Sequence, residues 1–334
     1  MLPAAAVAMS LAAALSAQPP AAGFLRRPSP DVLRVMAWNI GADSVVPPEG
    51  QIADPASTGR PSQFARVVRA VSPDVLCLQE VRVDASRLAR MIGAAVALES
   101  GVTWHAYQAG VDTAIVSRYE LAARSTTVAP GGIRPRGHVT ALIRLPEGRG
   151  APALYMTCAH LQSSNEPQHV AARQQHADAI VSEIRDAKAG RGPVPLTART
   201  PFMILGDLNA VPGLTGFLDN LLAGRLSRET GAPAAGVDWD GSGLTDAHPS
   251  HNGSGPDAYT WRNDHDRFAP SALDRLLYSD SVLHVVNAFV LDTTTMSAAD
   301  LDRSGMRAAD VMRDSGAGIH DHLPIVVDFT LLPK

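Results

Sequence analysis

The sequence predicts an α/β chain folded as one domain around mixed β-sheet, on three observations. Short apolar runs bounded by turn residues recur along its 334 residues. Helix-period segments alternate with these runs early, and strand-like runs follow one another directly later. Six polar clusters, spread over nearly the whole length, sit where the runs end. Cutting the chain would divide those clusters, and layered α/β folds of this size often form one domain. Apolar residues make up 46% and aromatic residues 5%, which predicts a large core filled by Val, Leu, Ile and Ala.

Leu2 to Leu15 is apolar and Ala-rich, and Ala14-Leu15-Ser16-Ala17 offers a small-x-small cleavage site. Residues 1–17 therefore read as a signal peptide, and the protein as exported to the periplasm or beyond. The missing Lys or Arg ahead of that stretch departs from the pattern and keeps a cytoplasmic location as the alternative. The stretch is too short for a transmembrane helix, and no later run would span a bilayer. Residues 18–30 are Pro-rich and read as a linker, leaving 31–334 as the domain.

Residues 33–37 read as a buried strand, and the Gly-, Pro-, Asp- and Ser-rich 41–61 as a loop over its end. A helix follows over 63–71, with Ser62 as its cap and Ser72-Pro73 as its stop. Residues 75–78 are a second buried strand, and Asp84 caps a helix reaching about Ala97. Residues 114–117 and 139–143 are β-prone, and 153–157 is another buried strand. The longest helical pattern is 167–188, apolar at Val170, Ala177, Ile180, Val181 and Ile184. A Gly/Ala/Pro-containing segment, 190–198, leads into strand 201–205. A helix and a polar loop fill 212–256. Strands are expected at 259–261, 273–278, 282–291 and 325–331, with a part-helical insertion over 293–318.

The polar clusters are Trp38-Asn39, Gln79-Glu80, His160-Leu161-Gln162, Gly206-Asp207-Leu208-Asn209, Leu273-Asp274-Arg275 and Asp321-His322. Strands ending this way place carboxylates, amides and imidazoles along one rim of a sheet. Crowded carboxylates repel unless a cation holds them together. Their oxygens suit Mg²⁺, and histidines supply acid–base or charge-stabilising groups. Asp207 and Asn209 are one residue apart, so in an extended segment they face the same way. Such a set points to metal-assisted hydrolysis of a phosphate ester.

In order and separation the clusters resemble the endonuclease/exonuclease/phosphatase superfamily, from about Val32 to about Leu331. That superfamily includes pancreatic-type deoxyribonucleases, abasic-site nucleases, inositol-polyphosphate phosphatases and bacterial sphingomyelinases. Gly206-Asp207-Leu208-Asn209 and His320 to Pro324 are the most specific matches. The resemblance implies two mixed sheets packed face to face with helices outside, a four-layer sandwich. It implies Glu80 as the principal Mg²⁺ ligand, with Asn39 and Asp321, and Mn²⁺ as a second possible metal. Asn39 either offers an oxygen to the metal or positions Glu80. Asp207 would orient or deprotonate the attacking water, and Asn209 would hydrogen-bond a phosphate oxygen. His322 would act as base or stabilise charge, its tautomer set by Asp274, while His160 would stabilise charge or protonate the leaving oxygen. Arg134, Arg136 and His138 fall where other members place substrate-side residues and are candidate phosphate contacts. Gln162 and Arg173-Gln174 resemble sphingomyelinase-like members; Arg173 is expected to brace a loop. Arg118 is read as structural and Trp261 as core.

Three positions depart from the family pattern. Gly41 stands where abasic-site nucleases carry a second acid. His320 replaces Ser, and an added imidazole would suit a softer metal. Asp112 stands where nucleases often show Asn, and would push anionic substrate away.

The expected activity is that of a metal-dependent phosphodiesterase or phosphatase, monomeric, attacking with water. The alternatives are a Mg²⁺-dependent endo- or exodeoxyribonuclease, a sphingomyelinase-like lipid phosphodiesterase and an inactive binding module. A net charge of −4, with Lys only at 188 and 334, argues against broad adhesion to nucleic acid. Cys77 and Cys158 lie in predicted core strands and are expected as buried free thiols, or as a disulfide between neighbouring strands in an exported protein. No zinc-ligand spacing exists.

Overall fold

Alternating burial builds two sheets with separate outer faces. The structure is a computed structural model and describes residues 23–100, 102–129, 136–229, 231, 236–263, 268–311 and 321–332. The seven-stranded sheet has the order β10 (Ser250–His251), β12 (Leu283–Val290), β13 (Ile325–Leu331), β1 (Leu33–Asn39), β2 (Val75–Gln79), β4 (Thr113–Ser117) and β3 (His105–Tyr107). The six-stranded sheet has the order β5 (Leu121–Val128), β6 (Gly137–Arg144), β7 (Ala153–His160), β8 (Phe202–Asp207), β11 (Asp274–Tyr278) and β9 (Thr245–Asp246). Both are mixed: β1–β2 and β7–β8 run parallel while β1–β13 and β8–β11 run antiparallel.

Strand β8 shows how the layers arise. Met203 and Leu205 join the large core between the sheets, whereas Phe202 and Ile204 join a second core on the other face, as period-2 alternation requires. The second core is closed by Ile180, Val181 and Ile184 of α3 (Pro167–Lys188) and by Phe217 and Leu221 of α4 (Gly216–Ala223). Phe64, Val67, Val68 and Val71 of α1 (Arg60–Val71), with Leu88 and Ile92 of α2 (Ala85–Ala95), cover the outside of the first sheet. The result is the expected four-layer sandwich.

Several boundaries move. Helix α1 begins at Arg60 with Pro61 in its first turn, where a missing N–H costs nothing, so Ser62 is buried inside it rather than capping it. Asp84 does cap α2, accepting from Arg87 N at 2.9 Å. Residues 259–261 form no strand; Trp261 makes only isolated bridges to Ser271 and His322. Among the described residues of 293–318 a single helix forms, α5 (Ala298–Ser304), capped by Ser297; 312–320 lie outside the described residues. Of the Pro-rich stretch, 23–30 is anchored on the domain, with Leu25 buried and Arg27 paired to Asp74 at 2.8 Å.

The free-thiol expectation is overturned. Cys77 on β2 and Cys158 on β7 point into the same inter-sheet layer from opposite sheets and form a disulfide, with Cα atoms 5.4 Å apart. Among the described residues no helix is long and apolar enough to cross a membrane.

Candidate active site

The strand ends converge on one cavity of about 630 Å³. Asn39, Glu80, His160, Asp207, Asn209, Asp321 and His322 all line it. Asp274 stands behind His322. The C-terminal ends of β1, β2, β7 and β8 meet there because β1–β2 and β7–β8 run parallel in facing sheets.

Two local devices shape the rim. Glu80 leaves β2 at φ 61°, and its carbonyl accepts from Asp43 N at 3.1 Å; a non-glycine in this region is strained and typical of functional positions. Gly206 has φ +127°, and a Cβ there would meet Ala159 O at 2.2 Å and Gln79 Nε2 at 2.8 Å. Only glycine lets the two sheets close this tightly one residue before Asp207.

Asp207 is the centre of a row of alternating carboxylates and imidazoles. Its Oδ2 lies 3.2 Å from His160 Nε2 and 3.7 Å from His322 Nε2. On the far side of each ring stands another carboxylate: Asp112 Oδ2 is 2.9 Å from His160 Nδ1, and Asp274 Oδ2 is 2.8 Å from His322 Nδ1. Asp207 Oδ1 accepts from Asn209 N at 3.0 Å, and Asn39 Nδ2 donates to Oδ2 at 3.1 Å. Burial pushes its carboxyl up, but the charges of His322, His160 and Arg136 outweigh burial and hold it below the usual range. Burial alone would lower His322, but the charges of Asp274 and Asp207 drive it up to about 10. Burial raises Asp274 against the pull of His322.

Asp112 corrects the sequence reading. It does not stand free to repel an anion; it is bound to His160. Its carboxyl stays low because the bond and charge from His160, together with Arg136, exceed the cost of burial.

Arg136 lines the cavity at 8% exposure with Nε and Nη1 lacking hydrogen-bond partners among the described residues, as a guanidinium prepared for a phosphate would. His138 does not reach the cavity. Strand β6 buries it against α3, where His176 and Glu183 take both ring nitrogens; this removes it as a phosphate contact. Arg134 and His320 lie outside the described residues. Arg173 is a brace, fully buried and donating to Gln162 O at 2.9 Å and Ser164 O at 2.6 Å. Arg118 pairs with Asp74 at 3.2 Å, a structural role.

Trp261 corrects the core assignment. It lines the cavity and donates Nε1 to Asp321 Oδ2 at 3.2 Å. Thr260 is bonded to Asp274, and the loop Ser163–Glu166, which sequence reasoning passed over, forms a polar wall. The β7–α3 loop was legible only as a connection.

For a divalent cation, Glu80 and Asp321 fit. Both carboxylates face the cavity, and oxygen donors suit a hard ion. Asn39 Oδ1 accepts from Gly41 N at 3.1 Å, and its Nδ2 faces Glu80 at 3.5 Å, so it positions Glu80. The compact trio Asp207, Asp274 and His322 could also gather around an ion. Within the trio His322 Nδ1 also bonds Asp274 Oδ2 at 2.8 Å, which ties ring and carboxylate together directly.

The family model described as the Endonuclease/Exonuclease/phosphatase family matches residues 36–295. Among solved structures, an endonuclease/exonuclease/phosphatase from Beutenbergia cavernae is 18% identical, with 90% of this chain and 72% of that chain covered and a TM-score of 0.52. Truncated TDP2 from Caenorhabditis elegans is 17% identical, covering 90% and 97%, with a TM-score of 0.53. ANGEL2, a 2′,3′-cyclic phosphatase solved with adenosine-2′,3′-vanadate, is 19% identical, covering 90% and 96%, with a TM-score of 0.54. A search of curated proteins found no match. With the family model spanning most of the chain and the same fold in these structures, the protein belongs to the endonuclease/exonuclease/phosphatase family of phosphoester hydrolases.

Proposed function

We propose that the protein is a divalent-cation-dependent phosphodiester hydrolase that attacks with water. The observation that carries this reading is the row Asp112–His160–Asp207–His322–Asp274 beside N–H groups of Arg136 that have no partner among the described residues. An in-line displacement needs proton management at the entering and leaving oxygens. In that row the central carboxylate serves the entering oxygen, His160 the leaving oxygen and His322 the charge between them. One guanidinium matches the single charge of a diester.

In this mechanism Asp207, held by Asn209 N and Asn39, orients the attacking water and takes its proton, which passes to His160 Nε2, 3.2 Å away, once His160 has protonated the leaving oxygen. His322, kept cationic by its flanking carboxylates, stabilises the negative charge that grows on the phosphoryl oxygens. Arg136 binds and orients the phosphate. His160, held by Asp112 through Nδ1, presents Nε2 to the leaving oxygen and protonates it. Mg²⁺ or Mn²⁺ held by Glu80 and Asp321 would supply charge neutralisation at the phosphate.

A polymeric nucleic acid is the less favoured substrate. The mouth carries Glu166 as well as the site carboxylates, and the chain is acidic overall. Export fits the inter-sheet disulfide, since such bonds persist in oxidising compartments.

The test is turnover of bis(p-nitrophenyl) phosphate, p-nitrophenyl phosphate, adenosine 2′,3′-cyclic phosphate, sphingomyelin and plasmid DNA, with MgCl₂ or EDTA. Diester turnover abolished by EDTA and by Asp207→Ala supports the reading. Monoester turnover alone, or turnover indifferent to EDTA, would overturn it.

A further inference from the structure

The turn that carries Glu80 into the cavity is held through its backbone, and two of the bonds end on one residue. Glu80 O accepts from Asp43 N at 3.1 Å, and Arg82 N donates to Asp43 Oδ1 at 2.7 Å. Between them Val81 N donates to Asp112 O at 3.0 Å, which ties the same turn to the residue that holds His160. Asp43 itself does not line the cavity, and the mechanism above does not use it.

Gly41, Ala42 and Asp43 have φ 67°, 54° and 63° in succession, and Glu80, bonded to them, has φ 61°. L-residues enter this left-handed region one at a time, so three in a row need support from outside the turn. Ser44 N donates to Gly41 O at 3.2 Å, Val46 N to Asp43 O at 2.9 Å and Ser44 Oγ to Ile40 O at 2.9 Å. Core burial is not what the strain serves, since Ala42 is exposed and Asp43 only half-buried. What the turn does reach is the candidate cation site, from two directions. Asp43 holds the backbone of Glu80, while Gly41 N donates to Asn39 Oδ1 at 3.1 Å and leaves Asn39 Nδ2 facing Glu80 Oε1 at 3.5 Å. A carboxylate that binds a small hard cation has to be held by the groups behind it, and strained backbone gathers where such holding is needed.

We propose that Asp43 is a positioning residue for Glu80. Its N–H and its carboxylate clasp the chain on either side of Val81, so that the Glu80 carboxylate stands in place before a cation arrives. Ordering that is complete in the free protein is not charged against binding. The inference rests on the reading of Glu80 as a cation ligand. It gives a use to the acid of the β1–α1 loop in a chain that has glycine at 41, and it makes cation affinity the property that this loop sets.

The test is calorimetric titration of MnCl₂ into the EDTA-stripped full chain and its Asp43→Gly, Asp43→Asn and Glu80→Gln variants, with melting temperatures measured in parallel. Asp43→Gly keeps the backbone N–H and takes the left-handed conformation without strain, so it removes only the bond from Arg82 N. It should weaken Mn²⁺ binding by about 10- to 100-fold, the usual loss when a group behind a metal ligand is removed, with a melting temperature close to that of the unsubstituted chain. Asp43→Asn keeps an oxygen for Arg82 N on a residue at ease in this region, and should recover most of the affinity. Glu80→Gln should abolish the titration. With that control in place, three results would each overturn the inference and leave Glu80 as a cation ligand: unchanged affinity in Asp43→Gly, a fall in its melting temperature with no change in dissociation constant, or an equal loss in Asp43→Asn. Unsubstituted and Glu80→Gln chains that titrate alike would overturn the cation reading, and the inference with it.

Discussion

Thr260 grips Asp274 twice. Its hydroxyl donates to Asp274 Oδ2 at 2.6 Å and accepts from the backbone N–H of Asp274 at 2.9 Å. The same Oδ2 receives His322 Nδ1, so the threonine fixes the carboxylate that fixes the imidazole. Thr260→Val keeps the shape and removes both bonds. It should lower kcat about tenfold, as one lost bond to a charged group implies, with KM nearly unchanged. An unaltered kcat in steady-state assays would separate Asp274 positioning from catalysis.

Asp112→Asn should be more damaging. The amide is nearly isosteric but turns an obligate acceptor into a group that can present either face to His160 Nδ1. Loss of general acid–base assistance is worth on the order of 10² to 10⁴ in rate, so kcat should fall by at least about 10². The fall should be smaller for a diester with a nitrophenolate leaving group, which needs little protonation. Equal losses on activated and unactivated diesters would argue that Asp112 serves only the fold.

Glu80→Gln should abolish turnover and be rescued little by excess Mg²⁺, because the charge that attracts the cation is gone. The Mg²⁺ activation curve is the measurement. Near-unsubstituted turnover at millimolar Mg²⁺ would remove Glu80 from the metal site.

The disulfide closes a loop with a sequence separation of 81, for which the chain-entropy account gives about 4.5 kcal/mol. Cys77→Ala/Cys158→Ala should lose about that much in urea unfolding while leaving the wavelength of tryptophan emission unchanged. A loss below about 1 kcal/mol would mean the unfolded chain is not constrained by the bond.

Stability should fall as pH rises through neutrality. His251 donates Nε2 to Tyr259 O at 2.8 Å, with Nδ1 3.4 Å from Asp292. Burial pulls its pKa down, yet the bonds to Asp292 and Tyr259 carry it above the ordinary value, so its contribution is full below about pH 6.5 and lost above. Asp292 is held low despite burial, chiefly by His251 and Thr294, so its contribution is full above about pH 3.9 and lost as pH falls further. Thermal unfolding between about pH 6 and about pH 9 should show a steeper decline in the native chain than in His251→Gln. Parallel curves would exclude this pair as the cause.

The site was largely legible because its residues end buried strands. Asn39, Glu80, His160 and Asp207 each follow an apolar run whose direction is set by burial, so one rim was foreseeable. Asp112 was misread because it precedes its strand, where a polar residue looks like any loop residue. Trp261 was misread because an isolated bridge has no periodicity to reveal that one face is open. His138 shares the side of Arg136, and nothing in the alternation says that α3 covers one and not the other. Cys77 and Cys158 are far apart in sequence and on different sheets, so only the packing of the sandwich could bring them together.

The Cys77–Cys158 bond lies three residues before Glu80 and two before His160. It therefore bolts together the floors of the two halves of the cavity, and the sheets cannot slide apart there while it is intact. Traffic of substrate in and product out must then be handled at the lip, by segments such as Ser163–Glu166, rather than by any clam-like opening of the sandwich. An evolving or engineered variant would change what the cavity admits by rewriting that lip, with the candidate catalytic residues left standing on a pinned floor.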